Sequence, residues 1–255
     1  MLPLTPLLLT YNEAPNLPRT LEKLRWANQI LVIDSFSTDD TLKIIARFPQ
    51  AKVIQRKFDS FAGQCNFGLQ NIATPWVLSL DADYLLPESF IKEIESCLST
   101  NGIDGYSARF DYCVFGKPLR STLYPPRTVL YRKDKATYHD EGHGHRVQVT
   151  GPVRMLSAHI LHDDRKPLER WFAEQIRYSA KEAKHLVETA LAELNRADRI
   201  RRKIILAPAL IFFYTLIGKG LILDGWPGWF YVFQRTLAEL LLSLRLIEQK
   251  LRIGN

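Results

Sequence analysis

Cysteine is scarce in this chain. Cys65, Cys97 and Cys113 are the three cysteines among 255 residues, and they form neither a CxxC pair nor a cluster with histidine. An odd number of widely spaced cysteines argues against a disulfide framework and against a structural zinc site. The composition therefore favours a protein of a reducing compartment, in which the cysteines act as small hydrophobic core residues.

Two glycine-rich phosphate-binding patterns are also missing. No GxGxxG follows the first apolar run, and no GxxxxGK[ST] occurs anywhere in the chain. These absences exclude the usual dinucleotide fingerprint and the P-loop. Any phosphate must therefore be held by something other than a glycine-rich loop.

The apolar first ten residues lack the features of a secretory leader. They have no cationic segment, they contain Pro3 and Pro6, and no small-residue cleavage site precedes Glu13. We expect a buried first strand over residues 6–10 instead.

The net charge of +7 is confined to the last third of the chain. Residues 1–164 contain 18 Lys and Arg and 18 Asp and Glu, whereas residues 165–255 contain 16 basic and 9 acidic residues, and 16 − 9 = +7. We predict a charge-balanced first domain over 1–164 and a basic, apolar, helical extension over 165–255. Such an extension suits either nucleic acid or an anionic membrane surface.

Short apolar runs alternate with helical patterns over residues 5–100. The runs end at Thr10, Asp34 and Asp81, and they are continuously apolar rather than alternating. This texture predicts an α/β fold whose mixed, mainly parallel, Rossmann-like sheet is covered by helices on both faces. After Gly105, shorter strands and turn clusters indicate that mixed or antiparallel strands with long loops complete the sheet.

Polar residues follow the carboxyl ends of these runs, as Thr10-Tyr11-Asn12-Glu13, Asp34-Ser35 and Asp81-Ala82-Asp83. In an open parallel sheet, ligands bind at the carboxyl ends of the strands, so we expect one shared crevice. Two carboxylates two residues apart can reach one ligand, and their oxygens suit Mg²⁺ or Mn²⁺ bridging a diphosphate. An isolated DxD is usually solvated surface, and its place after a buried strand is what favours a site here.

Four ordered segments resemble a known family. They are Leu9-Thr-Tyr-Asn-Glu13, Val32-Ile-Asp34-Ser-Phe-Ser-Thr-Asp39, Phe61-Ala-Gly-Gln-Cys-Asn-Phe-Gly-Leu69 and Leu78-Ser-Leu-Asp-Ala-Asp83. In order and spacing they resemble the inverting glycosyltransferases of family 2, which have the GT-A fold. The middle segment and Leu161-His-Asp-Asp164, followed by a helix, more weakly resemble the branch of bacterial lipopolysaccharide-core sugar transferases.

The resemblance implies a nucleotide-sugar donor, most simply a UDP-sugar. It implies that the ribose and base are contacted by Thr10, Tyr11 and Glu13, the base edge by Asp34, the donor by Asn66 and the ribose or sugar by Asp81, and that Asp83 coordinates Mn²⁺ or Mg²⁺. Cys65 departs from the family, which often has Arg or Lys immediately before this asparagine. A phosphate or base contact from that position is therefore not implied here.

The catalytic base is sought in the histidine-rich segment 139–145, which we predict to be a loop. An inverting transfer needs a carboxylate that deprotonates the acceptor hydroxyl while a metal stabilises the leaving diphosphate. The family places its base in the acceptor half, after the DxD, which leaves Asp140 and Glu141 as candidates. We favour Glu141.

Histidines supply further candidates. His143 and His145 could bind diphosphate or metal, or be internally satisfied loop residues. His162, with Asp163 and Asp164, could make a second metal or diphosphate contact, or be part of a charge cluster at a helix N-terminus.

The extension combines basic and strongly apolar segments. A long helix is predicted from about Leu168 to Leu194 and a final one over 236–251, and residues 204–218 between them are uncharged but interrupted by Pro208. Fifteen residues are short of the roughly twenty that cross a bilayer, so three alternatives arise: a core-packing hairpin, a marginal span, or helices lying in the interface. Flanking arginines and a tryptophan-rich cluster favour an anionic membrane surface bound through residues 199–233. Nucleic acid is not expected, because the basic residues are not interleaved with stacking aromatics.

The sequence thus predicts a metal-dependent inverting glycosyltransferase that acts on a lipid-linked, lipopolysaccharide or other cell-envelope glycan. We expect a peripheral or monotopic protein at the cytoplasmic face of the cell membrane. One alternative is a nucleotidyltransferase-like enzyme, which usually has a glycine- and basic-rich loop that residues 11–13 lack. The other is a degenerate, non-catalytic membrane-bound scaffold, to which the unusual Cys65 points.

Overall fold

A computed structural model describes the backbone of residues 2–141 and 144–253 and the side chains of residues 2–140 and 146–252. The chain forms two compact units. The first contains the residues up to 116 together with 123–165, and the second contains 117–122 together with the residues from 166 onward.

The first unit is built on a large mixed sheet. The strands of the described residues are β1 (Leu4–Thr10), β2 (Ile30–Asp34), β3 (Ala51–Gln55), β4 (Trp76–Asp81), β5 (Tyr84–Leu85), β6 (Gly105–Val114), β7 (Lys117–Pro118), β8 (Arg127–Arg132), β9 (Ala136–Glu141), β10 (Gly144–Val149) and β11 (Val153–His162). Eight of them follow the spatial order β3-β2-β1-β4-β8-β6-β11-β5. Strands β1 to β4 are parallel, as are β6 and β11, whereas β8 is antiparallel to both β4 and β6.

This topology gathers polar residues at one edge of the sheet. Thr10 lies beside Asp34 in the β1–β2 register, and Leu9 lies beside Asp81 in the β1–β4 register. Because β8 runs in the opposite direction, its first residue, Arg127, lies at the edge where β4 ends. Parallel strands that end together bring the residues following them into one crevice.

The sheet is covered on both faces, as the continuous apolar runs predict. One face packs against α1 (Leu17–Glu22), α2 (Thr41–Ile45) and α4 (Glu88–Cys97), and the other against α3 (Phe61–Gln70) and the hairpin of β9 and β10. All five residues of β2 are buried, which is why that strand is apolar throughout. Helix α3 approaches β1 closely at Gly68, where a Cβ atom would lie 2.6 Å from Leu7 Cδ1.

The predicted loop over 139–145 is wrong for the described part of that segment. Residues 136–141 form β9, which pairs antiparallel with β10. Only one face of this hairpin is apolar: Tyr138 is buried and Val147 and Val149 are partly buried against α3. The inward-facing apolar residues are few and lie among histidines and carboxylates. The sequence of β9 therefore lacks the alternating apolar pattern that indicates a strand.

The second unit is helical. Its elements are α5 (Leu168–Glu188), α6 (Arg196–Arg201), α7 (Leu206–Phe213), a π-helical turn (Tyr214–Gly218), a 3₁₀ turn (Leu221–Asp224) and α8 (Trp226–Ile253). Its core contains Ala183, Leu186, Leu194, Leu242 and Leu246. Within the described residues, none of the helices combines the length and apolar character required to cross a bilayer.

Two predicted helices have different limits in the structure. Helix α5 ends at Glu188 rather than near Leu194, and its buried face contains Ser179 and Ala183, while Phe172 of the apolar stripe is exposed. The final helix begins ten residues before the predicted 236, since Trp226 starts α8. The proline that follows Trp226 does not prevent this start, because the first turn of a helix tolerates proline.

Candidate active site

Asp34 is an internal anchor at the ends of β1 and β2. Its side chain is fully buried, and its two oxygens accept hydrogen bonds from Thr10 Oγ1 (2.9 Å), the Ser37 backbone N–H (2.9 Å), the Ser37 hydroxyl (2.5 Å) and Gln55 Nε2 (3.2 Å). Charge-assisted bonds of this kind stabilise a buried carboxylate. Thr10 and Asp34, both predicted to contact the nucleotide sugar, are thus hydrogen-bonded to each other.

The segment after β1 is tied to the start of α2. Asn12 has a positive φ of 56°, and its Oδ1 accepts from the backbone N–H groups of Thr38 (2.7 Å) and Asp39 (3.3 Å). Glu13 is buried, and its carboxylate accepts from Asn16 Nδ2 at 3.0 Å. Tyr11, which precedes Asn12, is half exposed.

Asp81 and Asp83 bracket a tight turn after β4. Asp81 is the last residue of the strand and is partly exposed, while Asp83 is buried. The turn is held by Thr20, whose hydroxyl donates to the Ala82 carbonyl at 2.5 Å. His162, at the end of β11, places its Nε2 3.3 Å from Asp83 Oδ2.

The imidazole of His162 is enclosed by three tyrosine rings. Tyr84, Tyr112 and Tyr124 lie edge-on to it with centroid distances of 5.4, 4.9 and 4.7 Å. Burial lowers the pKa of His162, but the charge and hydrogen bond of Asp83 outweigh it, so the pKa is raised above the ordinary value. Burial, followed by the charge of Asp81, raises the pKa of the Tyr84 and Tyr124 hydroxyls, which therefore stay neutral.

Asp163 and Asp164 belong to a polar hub rather than to a helix terminus, since α5 begins only at Leu168. Asp163 is buried and pairs with Arg19 (2.6 Å) and Arg165 (2.8 Å). Asp164 accepts from Asn16 Nδ2 at 2.9 Å. The hub fixes the segment that follows His162 against the one that follows β1.

Asn66 and Asp140 connect α3 to β9. The Asn66 amide accepts from the Tyr138 backbone N–H (2.9 Å) and donates to its carbonyl (3.0 Å). Asp140 is exposed and accepts from the Ala62 backbone N–H, in the first turn of α3, at 3.2 Å. Glu141 ends β9, but its side chain and all of His143 lie outside the described residues, as does the side chain of His145.

Asp83 and His162 could hold part of a divalent metal site. Carboxylate oxygen and imidazole nitrogen both suit Mn²⁺, and His162 Nδ1 is buried with no hydrogen-bond partner among the described residues. No group of three His, Cys, Asp or Glu side chains among those residues could hold a metal by itself. An ion there would need oxygens from a substrate, which is the usual arrangement for metal-bound phosphates.

Sequence reasoning missed several residues of this site. Asn16 is fully buried and contacts Glu13 and Asp164, and Arg127 lies over the ring of Tyr124 with its guanidinium carbon 5.1 Å from the centroid. Asn16 joins positions 148 residues apart, so no local pattern could reveal its role. Arg127 precedes an apolar run, and this position at a strand start was the one feature of the sequence that could have indicated it.

Comparisons with known proteins identify the family of this chain. The sequence profile of glycosyl transferase family 2 matches residues 7–157. The match covers more than half of the chain, so the protein belongs to glycosyl transferase family 2 and is a glycosyltransferase.

Relatives have the same assignment. An uncharacterized glycosyltransferase of Rickettsia felis is 28% identical in an alignment 200 positions long that covers 71% of this chain and 69% of that protein. The lipopolysaccharide core biosynthesis glycosyltransferase LpsC of Rhizobium meliloti is 25% identical over 238 residues, covering 89% of this chain and 85% of its own.

A solved structure shares the fold. The mannosyltransferase PcManGT of Pyrobaculum calidifontis, in complex with GDP-Man and Mn²⁺, aligns with 97% of this chain and 87% of its own at a TM-score of 0.55 and 14% identity. The fold is therefore GT-A, with a mixed, mainly parallel sheet, as the sequence predicts.

Proposed function

We propose that this glycosyltransferase is metal-dependent and inverting, and that it transfers a sugar from a UDP-sugar to a lipid-linked, lipopolysaccharide or other cell-envelope glycan. The observation that carries the proposal is the pair of Asp83 and His162, whose side chains meet at 3.3 Å beside Asp81. Mn²⁺ binding by the structural neighbour and the name of the LpsC relative support the metal and the acceptor class.

We assign the predicted residues other than His143 to roles in this reaction. Tyr11 and Glu13 would line the nucleoside end, with Thr10, Asp34 and Asn66 nearby, and Asp81 would face the ribose or sugar. Asp83 and His162 would hold the divalent ion, which when bound neutralises charge on the leaving diphosphate. Glu141, or else Asp140, would take the proton from the acceptor hydroxyl.

The donor is tested by UDP and GDP release from a panel of nucleotide sugars, with Mn²⁺ and a membrane lipid extract as acceptor. We expect release of UDP that depends on the extract. Release of pyrophosphate from a nucleoside triphosphate would favour a nucleotidyltransferase instead. Absence of UDP binding in calorimetry with Mn²⁺ would favour a non-catalytic scaffold.

The metal assignment is tested by Asp83→Ala against Asp134→Ala, an exposed carboxylate in the turn before β9. Loss of a metal ligand removes stabilisation of the leaving group, so Asp83→Ala should lose turnover by about a hundredfold or more. Asp134→Ala should be active. Turnover of Asp83→Ala at the level of Asp134→Ala would refute the metal role.

We propose also that the extension over 165–255 binds the anionic, cytoplasmic face of the cell membrane peripherally or monotopically, through residues 199–233. Large apolar side chains are exposed there, among them Ile205 at 82%, Leu223 at 70% and Ile217 at 65%. Concentrated exposed apolar side chains mark interaction surfaces. Trp226 and the exposed Lys203 add interfacial chemistry, although Arg201 is paired with Glu239 at 2.9 Å.

Flotation with vesicles tests the membrane proposal on the full-length chain. We expect flotation with vesicles containing phosphatidylglycerol, and its loss when Ile217 and Leu223 are both replaced by Asp. The control is Val153→Asp, an exposed apolar residue of β11. Equal flotation of the double variant and the control would remove residues 199–233 as the contact.

A further inference from the structure

Arg127 is unusual among the cations near the carboxyl edge of the sheet. Arg19 and Arg165 both form ion pairs with Asp163, and Arg56 is paired with Asp59 at 2.6 Å. The side chain of Arg127 makes no hydrogen bond with a described residue and has no described carboxylate oxygen within 4.0 Å. Within the described residues, its five N–H donors therefore have no partner and could bind a ligand.

The side chain of Arg127 packs against residues of the candidate site. The side chain is half-buried, and its guanidinium carbon lies over the Tyr124 ring, 5.1 Å from the centroid. The Tyr124 hydroxyl is in turn 2.5 Å from that of Tyr84, which follows the Asp81–Asp83 turn. The same tyrosines enclose His162.

The charge balance around Arg127 leaves it positive. A guanidinium stays protonated in proteins. Asp81, at the end of the adjacent strand, attracts the guanidinium without forming an ion pair. A half-buried cation with unused donors next to a candidate diphosphate site is a place for an oxyanion, and a planar guanidinium matches phosphate oxygens bidentately.

We infer that Arg127 binds a phosphate oxyanion of the substrate, either the diphosphate of the donor or a phosphate of an anionic acceptor. This inference rests on the proposed function for its substrates but not for its ligand chemistry. Arg127 would orient the phosphate through two N–H donors. It would also balance the negative charge that a single divalent ion leaves on a departing nucleoside diphosphate.

Calorimetry on the full-length protein tests this assignment with pyrophosphate and with UDP plus Mn²⁺. The variants are Arg127→Gln and Arg127→Lys, and the control is Arg154→Gln, an exposed arginine near the opposite end of β11. We expect Arg127→Gln to weaken pyrophosphate and UDP binding at least tenfold, Arg127→Lys to weaken it less, and uridine binding to be unchanged in all three. The thermal midpoints of the variants identify any general loss of folding.

The acceptor arm of the test uses KM values. A tenfold rise in the KM of a phosphorylated acceptor for Arg127→Gln, with unchanged UDP affinity and an unchanged KM for the dephosphorylated acceptor, would assign the oxyanion to the acceptor and support the inference. Unchanged pyrophosphate, UDP and acceptor parameters in a folded Arg127→Gln protein would overturn it. If the wild-type protein bound pyrophosphate through Arg127 but released no UDP from any UDP-sugar, the proposed function would fail and the anion site would stand.

Discussion

The side-chain amide of Asn66 forms two hydrogen bonds with the backbone of Tyr138, one in each direction. Asn66 thereby holds β9, the strand that ends in Asp140 and Glu141, against α3. A residue that the family resemblance assigns to the donor thus also positions the candidate base. Its removal should affect the chemistry more than the binding of the donor.

We therefore expect Asn66→Ala to lower kcat about tenfold or more, because small displacements of a catalytic group are costly. The KM for the UDP-sugar should change less than threefold. Asn71→Ala is a suitable control, since Asn71 is an exposed amide near the end of the same helix and bonds to the Phe67 carbonyl. Steady-state kinetics with a saturating acceptor measure both constants. A large rise in donor KM with unchanged kcat would return Asn66 to the role of a direct donor contact.

Asp34 should matter to stability as well as to substrate binding. Replacing it with Ala leaves the buried Thr10 hydroxyl and several other donors without their acceptor, at a cost of about 3 kcal/mol in the free energy of unfolding. Asp40→Ala is the matched control, because the ion pair of Asp40 with Lys43 is exposed and screened by solvent, so its loss should change stability little. Urea unfolding gives both values. Equal stability of the two variants would show that the buried network contributes little to the fold.

His162 should contribute to metal affinity independently of the acceptor. We expect His162→Gln to weaken Mn²⁺ binding, measured in the presence of UDP, by about tenfold or more, since the neutral amide oxygen of Gln is a weaker donor than an imidazole nitrogen. His159→Gln is the control, because His159 is on the same strand and partly exposed, with its Nδ1 2.7 Å from Asp111. Addition of a chelator should stop UDP release by the wild-type protein, and excess Mn²⁺ should restore it. Equal Mn²⁺ affinity of the two variants would exclude His162 from the ligand set.

The parts of the fold that the sequence predicts are those with a strong local period. Strands ending at Thr10, Asp34 and Asp81 are continuous apolar runs, and their parallel packing follows from helices on both faces. Strand β9 escaped prediction because its inward residues are few, and α8 began early because Pro227 is compatible with its first turn. Local periodicity reveals neither a strand with few inward residues nor the first residue of a helix.

Residues of the candidate site could be predicted only where they follow the end of a recognisable strand or lie in a recognised motif. Asp81 and Asp83 follow a buried run, so their position at the crevice could be inferred, and His162 fell in a motif of the resembled branch. The hub built on Asn16 could not be found, because Asp164, which Asn16 contacts, is 148 residues away in the sequence. The position of Arg127 at the candidate site could not be predicted without the direction of β8. Because β8 runs antiparallel to β4, its first residue lies beside the ends of the parallel strands.

The three cysteines should be unreactive in the folded protein. All are buried and free, and burial raises the pKa of each thiol, that of Cys113 to about 11. A thiol with a raised pKa is protonated below that value, so at pH 8 about one Cys113 side chain in a thousand is the reactive thiolate. We expect Ellman's reagent to label less than one thiol per chain within minutes at pH 8 and all three in guanidinium chloride. Fast labelling of the native protein, lost in Cys97→Ser, would show that α4 opens locally, because Cys97 is the most exposed of the three.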